Sequence, residues 1–311
     1  MVKEDGIPSV NEGLEQVAQL LEAHPDYRVL RRLVPRTGFG VAPLGPVGRV
    51  VILDTETTGL DSKADKIIEL ALLVVEVDTA TGAAVRVAEV YEAFDDPGRP
   101  IPPDVSKLTG ITDEMVEGQK LDEPRVAELV KGAQLVVAHN ARFDRPFVEA
   151  RLPAFASLPW ACSIADIDWA GEGWGSSRLE YLAMKHGWFY DGHRAAADCH
   201  ALLAVLNAPL PRSGTTGLAR LLQAARATSF RVFADDAPFA AKDLLKSRGY
   251  RWDPERRVWH GEVRDEAALE EERAWLKAKI YGGRSSTIHV EKQDARVRYS
   301  ARSGRRTSLK L

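Results

Sequence analysis

The spacing of apolar residues changes from a helical to a strand period near residue 49. Upstream, Val10, Leu14 and Val17 recur at helical spacing, which predicts one or two short helices within residues 8–36. A stretch rich in Gly and Pro at 38–48 predicts a linker or an extended approach. Downstream, continuous apolar runs predict buried strands at residues 49–55, 66–77 and 85–95.

The order of the predicted elements indicates the class of fold. Short turns join the three apolar strands, as expected for an antiparallel meander. Strands and helices then alternate, with strands predicted at 134–139 and 160–166 and helices at 123–131, 141–151, 178–186 and 194–206. This order predicts an α/β domain with a mixed five-stranded sheet, an antiparallel meander plus parallel strands, flanked by helices.

The C-terminal third predicts a separate, smaller unit. After a linker at 207–217 come a helix, a strand, a second helix, a Trp-rich hairpin and a charged helix, which together predict a small α+β module. The last thirty residues hold eight Lys/Arg against two acids and are rich in Gly and Ser, so partial disorder is expected. The expected units are an N-terminal helical extension with linker at 1–47, a main domain at 48–207, an accessory module at 208–281 and a basic tail at 282–311.

Composition restricts the class of protein further. No apolar run approaches the roughly 20 residues that a bilayer crossing needs, and the N-terminus has no apolar signal core. With only two cysteines, no disulfide framework is expected, and we predict a cytoplasmic protein that does not enter a membrane. Residues 1–206 hold 20 Lys/Arg against 32 Asp/Glu, a net of −12, and residues 207–311 hold 22 against 13, a net of +9. An acidic body joined to a basic module is compatible with a polyanionic partner.

The segment VVILDTETTGL at residues 50–60 offers the first candidate chemistry. Asp54 and Glu56 project to the same face at the end of an apolar strand, about 7 Å apart, because side chains alternate along a strand. Two such carboxylates repel each other unless a cation lies between them, and hard oxygen ligands suit Mg²⁺ or Mn²⁺. Taken alone, the pair is also compatible with a solvated strand end.

Two later segments carry further acids and histidines. In VVAHNARFD at 136–144, a buried strand leads to His139 and Asn140, and the next helix presents Asp144 one turn in. In GHRAAADCHALLAVL at 192–206, His193 stands at a helix entrance and Asp198 lies among alanines. Each segment alone is also explained by helix capping and ordinary first-turn acids.

Together and in this order, the three segments resemble the DEDDh 3′→5′ exonuclease family, the proofreading type that includes the epsilon subunit of bacterial replicative polymerase. The first matches D-x-E-T-T-G, the second N-A-x-F-D and the third H-R-A-x-x-D, and the resemblance covers about residues 48–206. It implies an RNase H-like fold and a phosphodiester hydrolase with two divalent ions, Mg²⁺ or Mn²⁺.

The resemblance also implies roles for particular residues. Asp54 would bridge both ions, Glu56 and Asp198 would complete the site that carries the attacking water, Asp144 would hold the second ion, and His193 would be the general base. A further set would contact the terminal nucleotide, which is released as a 5′-mononucleotide; its members are Thr57, Leu60 and Phe143. Core packing is the other interpretation of Phe143.

The C-terminal module has aromatic residues in a basic setting. The pattern K-D-x-L-K-x-x-G-Y-x-W-D-P-x-x-x-x-W vaguely resembles small modules found beside DNA-handling enzymes. Aromatic faces among basic side chains hold single strands without sequence preference. The candidate nucleic-acid-binding residues are Lys242, Lys246, Arg251, Trp252, Arg257 and Trp259. The alternative is that both tryptophans form the core of a small domain.

Three functions therefore remain open at this point. The first is a 3′→5′ exonuclease on DNA in repair or proofreading, with a DNA polymerase or repair protein as a possible partner. The second is the same chemistry on RNA or short oligonucleotides. The third is a non-catalytic adaptor that binds nucleic acid, which the presence of all five catalytic positions disfavours. The accessory module favours DNA over RNA.

Overall fold

The computed structural model describes residues 10–311, and residues 1–9 of the predicted N-terminal extension lie outside this range. Within the described residues, no α-helix has both the length and the apolar composition that crossing a bilayer requires.

The secondary structure follows the chain in three stretches. The first contains α1 (Val10–Glu22), β1 (Arg31–Arg32), β2 (Val47–Thr57), β3 (Ile67–Asp78), β4 (Ala84–Phe94), α2 (Pro103–Thr109) and α3 (Asp113–Val116). The second contains α4 (Glu123–Val130), β5 (Leu135–Ala138), α5 (Ala141–Arg151), β6 (Trp160–Cys162), α6 (Leu179–Lys185), β7 (Trp188–Phe189), α7 (Ala195–Asn207) and α8 (Gly217–Arg226). The third contains β8 (Ser229–Ala234), α9 (Lys242–Ser247), β9 (Arg251–Asp253), β10 (Val258–Val263), α10 (Glu266–Trp275), β11 (Thr287–Gln293) and β12 (Arg305–Lys310).

The first large sheet is mixed and five-stranded, with the order β4-β3-β2-β5-β6. Strands β2, β3 and β4 form an antiparallel meander, while β5 pairs parallel with β2 and with β6. The predicted fold class is therefore confirmed. The boundaries differ mainly at β6, which ends at Cys162 instead of near residue 166.

Alternation along β2 divides its side chains between two cores. Val50 and Ile52 pack on the face covered by α6, α7 and α8, and Val51 and Leu53 pack on the opposite face with residues of α4 and α5. All four side chains are fully buried. Because the period of a strand is two, Asp54 continues the face that packs on α7.

Helix α8 belongs to this first core. Leu218, Leu221 and Leu222 are buried in the same cluster as residues of β2 and α7. The helix was expected to open the accessory module at 208–281, and that expectation was wrong at this point. Its apolar side chains complete the cover of the large sheet, so the short connection after α7 does not separate two cores.

The C-terminal residues form a second five-stranded sheet, in the order β12-β11-β8-β10-β9. Strand β11 pairs with both β8 and β12, so residues 287–293 lie inside the sheet. The expectation of a partly disordered tail at 282–311 is therefore wrong. Ile288 and Val290 are buried at alternate positions of β11, and this burial outweighs the basic composition of the segment.

The turn between β11 and β12 connects the second sheet to the first domain through contacts with α5. Arg145 on α5 is fully buried, and its guanidinium donates to the carbonyl oxygens of Ala295 (3.1 Å) and Arg298 (2.5 Å) and to the carboxylate of Glu149 (2.7 Å). Tyr299 is buried among the residues of the α5 face. The C-terminal segment thus completes the core of the first domain.

Candidate active site

The carboxyl ends of β2 and β5 and the start of α7 meet at one open cleft. Its volume is about 360 Å³, and its lining includes the predicted catalytic residues Asp54, Glu56, Asp144, His193 and Asp198. Three segments that are distant in the sequence therefore bring their acidic and histidine side chains to the same place.

Three of the carboxylates are close enough to share one cation. One oxygen atom each of Asp54, Glu56 and Asp198 lie within 4.8 Å of one another. Asp54 and Glu56 lie on the same face of β2, as alternation requires, and Asp198 comes from the first turn of α7. In the described part of the chain, no Lys or Arg forms an ion pair with any of these three acids.

Asp144 reaches the cleft from the other side of β2. It lies in the first turn of α5, is buried, and its Oδ1 accepts a hydrogen bond from the hydroxyl of Thr55 at 2.9 Å. Thr55 precedes Glu56 and points to the α5 face of the sheet. This threonine therefore orients Asp144, a role that the sequence patterns did not indicate.

The loop before α7 holds Asp198 and His193 together. The Oδ2 atom of Asp198 accepts from the backbone amide of His193 at 2.8 Å, and its Oδ1 accepts from the hydroxyl of Tyr190 at 2.9 Å. His193 is exposed and has a left-handed backbone with φ of 63°. Tyr190 was not identified from the sequence, because it lies before the segment at 192–206 that carries His193 and Asp198.

Burial raises the pKa of all four predicted metal-binding acids, and repulsion from neighbouring carboxylates adds to the rise at Asp54 and Glu56. The pKa of Glu56 rises to about 8, first through burial and then through the charges of Asp198 and Glu69. Burial raises the pKa of Asp144 to about 7, although the hydrogen bond from Thr55 opposes the shift. The pKa of Asp54 is raised well above its usual range by burial and by the charge of Asp144.

These shifts show that the carboxylates are poorly compensated by the protein itself. For Asp198 too, burial raises the pKa, against the opposing hydrogen bond from Tyr190. An oxygen-only donor set with excess negative charge fits a hard divalent cation such as Mg²⁺ or Mn²⁺ and does not resemble a zinc site, which favours nitrogen and sulfur ligands. The acidic cluster can therefore hold a divalent metal.

His139 lies at the back of the cleft in a structural role. Its Nδ1 is 2.7 Å from the hydroxyl of Ser163, and burial lowers its pKa to about 4. A neutral imidazole with a fixed partner positions the end of β5. It is poorly suited to take up a proton near neutral pH.

The three residues predicted to contact the substrate differ in their position relative to the cleft. Phe143 lines the cleft, and its ring packs on Phe147 with centroids 5.1 Å apart. Thr57 is buried and its hydroxyl donates to the carbonyl of Gly59, while the side chain of Leu60 is 86% exposed. Neither Thr57 nor Leu60 lines the cleft. Their contact with a nucleotide stays a prediction.

Comparison with known proteins agrees with this geometry. The model of the exonuclease family matches residues 51–206. The chain belongs to this family. The sequence-based assignment as a 3′→5′ exonuclease of the proofreading type is confirmed at this level, and the matched range contains all five residues of the cleft.

Individual relatives match parts of the chain. The DNA polymerase III subunit epsilon of Treponema pallidum is 34% identical over 164 residues, which are 48% of this chain and 71% of that protein. The 3′-5′ exonuclease DinG of Bacillus subtilis is 35% identical over 163 residues, 48% of this chain and 16% of DinG. Among solved structures, exonuclease X in complex with 5′ overhanging duplex DNA is 26% identical, with a TM-score of 0.38, covering 55% of this chain and 99% of that one.

Proposed function

We propose that this exonuclease removes 5′-mononucleotides from the 3′ end of DNA with the help of two divalent cations, in repair or proofreading. The observation that carries the proposal is the convergence of Asp54, Glu56, Asp144 and Asp198 with His193 in one cleft. A relative of 34% identity is named as a subunit of a DNA polymerase, which supports DNA as the substrate and a polymerase or repair protein as a partner.

The carboxylates divide into two groups that would hold the cations. Asp54, Glu56 and Asp198 form the compact group, and Asp144, fixed by Thr55, lines the same cleft, where its charge acts on Asp54. When bound, two divalent ions activate a water and stabilise the charge on the transferring phosphate and on the leaving oxygen. Among protein side chains in the cleft, these four acids are the candidates to bind them.

His193 is suited to act as the general base. His193 is exposed and lines the cleft, its backbone amide donates to Asp198, and imidazole is the side chain that serves most often as a general base. It would take a proton from the attacking water while the water oxygen forms a bond to phosphorus. The bond between phosphorus and O3′ of the preceding nucleotide then breaks, and that oxygen takes up a proton from solvent.

Electrophoresis of end-labelled substrates tests the proposal. Single-stranded and duplex DNA and matched RNA, labelled at the 5′ end, are incubated with Mg²⁺, Mn²⁺ or EDTA. We expect a ladder of shortened DNA with either metal and none in EDTA, and a parallel substrate labelled at its 3′-terminal phosphodiester should release the label as free 5′-mononucleotide. The Asp54→Ala variant should lose this activity, while Asp104→Ala, an exposed acid on α2, should keep it.

Other outcomes would change the proposal in defined ways. Faster shortening of RNA than of DNA would replace it with an exoribonuclease. Binding without any shortening would indicate the non-catalytic adaptor. Internal cuts, or equal activity in EDTA, would contradict the proposed mechanism as a whole.

A further inference from the structure

The hairpin of β9 and β10 lies directly beside the acidic cleft. Glu262 on β10 accepts a hydrogen bond from Arg142 at 3.0 Å, and Glu255 in the hairpin turn pairs with Lys63. Arg142 stands two residues before Asp144 on α5, which is about 3 Å along the helix axis. Side chains two positions apart on a helix face different directions, so the hairpin contacts another face of α5, and the second domain lies next to the acidic cleft without lining it.

Between α5 and this hairpin is a second, smaller cleft. Its volume is about 210 Å³, and its charged lining consists of Arg142, Arg248, Arg251, His260, Glu262 and Glu272. Glu262 pairs with Arg142 and Glu272 pairs with Arg248. Among the described residues, no acid forms an ion pair with Arg251, so its guanidinium is available to an anion.

The backbone register directs Arg251 toward this cleft. Arg251 and His260 are directly opposite on β9 and β10, so their side chains share one face of the hairpin. The Nδ1 atom of His260 is buried and has no hydrogen-bond partner among the described residues. The cleft therefore offers the free guanidinium of Arg251, while the buried Nδ1 of His260 beside it has no partner in the described part of the protein.

The size and charge of the cleft fit a phosphate group of a longer chain. A volume of 210 Å³ is below the range typical of pockets that enclose a whole small molecule. The first 206 residues carry a net charge of −12, which repels a polyanion, whereas residues 207–311 carry +9. Affinity for nucleic acid must therefore come largely from basic residues outside the acidic cleft.

We propose that the cleft between α5 and the β9–β10 hairpin binds the phosphate backbone of a single DNA strand whose 3′ end lies in the acidic cleft, with Arg251 as the contacting cation. This inference rests on the proposed function for the identity of the strand. Trp252 is 48% exposed and lies on the opposite face of β9 from Arg251, where it provides an aromatic face for a base of a strand that passes over the free edge of the sheet.

The other sequence-predicted candidates of the module are less well placed. Lys242 lies over the ring of Phe239, with Nζ 4.6 Å from its centroid, and neither Lys242 nor Lys246 lines the small cleft. Arg257 lies in the hairpin turn, and Trp259 packs between the core of the sheet and Trp252, 5.5 Å from the latter. Trp259 thus serves packing as well as supporting the exposed face of Trp252.

Point variants of the full chain test this proposal, because removing residues after 206 would uncover Arg145 and take Tyr299 out of the core of the first domain. Fluorescence polarisation with a 20-nucleotide oligo-dT, in EDTA so that no strand is cut, compares the wild type with Arg251→Ala. We expect about a tenfold loss of affinity and a decrease of about one in the slope of log affinity against log salt. Arg251→Lys should recover most of the affinity, since a point charge still attracts phosphate.

Arg226→Ala is the matched control, because Arg226 is exposed on α8 and lines neither cleft. The rate of hydrolysis with Mg²⁺ then separates the two proposals. Arg251→Ala should lower the ratio of kcat/KM for the 20-mer to kcat/KM for a dinucleotide about tenfold. A wild type that hydrolyses neither substrate contradicts the proposed function, and the polarisation result still decides the binding site.

Three results would overturn the inference. One is an affinity and salt slope of Arg251→Ala that equal those of Arg226→Ala. Another is an equal loss of kcat/KM on the dinucleotide and the 20-mer. The third is a duplex of the same length that competes as well as the single strand, because the proposed path commits to one strand with an unpaired base at Trp252.

Discussion

The buried carboxylate of Glu69 accepts two hydrogen bonds from the guanidinium of Arg194, from Nη2 at 2.8 Å and from Nε at 3.1 Å. It also accepts one from the backbone amide of Ala195 at 2.9 Å, the first residue of α7. Glu69 lies on β3 directly opposite Glu56. A strand residue therefore caps α7 and fixes the loop that carries His193.

Replacing Glu69 with Gln should lower kcat while leaving KM nearly unchanged. The amide keeps one acceptor but loses the ion pair with Arg194, so the loop shifts away from the reacting water. A misplacement of the order of 1 Å can cost about a hundredfold in rate, and we expect a tenfold to hundredfold loss. Steady-state kinetics on a labelled oligonucleotide measures kcat and KM of the variant. The control is Glu92→Gln, which removes only the more exposed partner of Arg194. A loss confined to KM would contradict the positioning role.

Neutralising Asp54 should stabilise the metal-free protein while it abolishes hydrolysis. Asp54 is half-buried among like charges that raise its pKa, so its ionised form opposes folding when no cation is bound. We expect Asp54→Asn to raise the Tm in EDTA by roughly 2–5 °C, the shift that one to two kcal/mol produces in a chain of this size.

Mn²⁺ should raise the Tm of the wild type more than that of Asp54→Asn, because binding to the native state alone adds stability. Thermal denaturation with and without Mn²⁺ measures both effects. Asp104→Asn should behave as the wild type does. A lower Tm for Asp54→Asn in EDTA would show that this carboxylate does not oppose folding.

Replacing Arg145 with Ala should destabilise the whole chain. Its guanidinium satisfies carbonyl groups of the turn after β11 and the buried carboxylate of Glu149, and all of them stay buried when it is removed. Breaking a buried pair by removing one partner costs about 3–5 kcal/mol. Urea denaturation measures the free energy of unfolding. Arg125→Ala, which breaks an exposed pair with Glu89, should cost less than about 1 kcal/mol. Equal costs for the two variants would contradict the structural role of the C-terminal turn.

His139 should make the protein less stable as the pH falls from 7 to 5. Its folded-state pKa of about 4 lies below the unfolded value of 6.5, so the unfolded chain binds more protons in between. Over this window the expected cost is about 2 kcal/mol. Urea denaturation at pH 7 and pH 5, compared between the wild type and His139→Gln, isolates the contribution. An unchanged pH dependence in the variant would show that His139 is protonated in the folded protein.

The catalytic residues could be predicted because their placement depends on local geometry. Asp54 and Glu56 share a face through the period of one strand, and Asp144 and Asp198 each lie in the first turn of a helix. Their supporting residues could not be predicted in the same way. Glu69 acts on Arg194 across 125 positions of the chain, and the sequence around each of them gives no sign of the other.

For the C-terminal segment, the sequence did contain the signal of a strand, but the prediction was wrong. Ile288 and Val290 alternate with His289 and Glu291, which is the period of a strand, but the basic composition favoured disorder. The segment folds because β8 offers it a partner and the first domain buries Tyr299. Pairing between distant segments is a property of the whole chain, so composition alone gave the wrong prediction there.

Crystals of the full chain soaked with Mn²⁺ and a 5′-mononucleotide provide the most direct measurement of the metal site. Anomalous difference density should show one ion among the carboxylates of Asp54, Glu56 and Asp198 and a second between Asp54 and Asp144, with the phosphate of the nucleotide against both. Density for Mn²⁺ away from this cleft, or an empty cleft at saturating Mn²⁺, would contradict the proposed catalytic site.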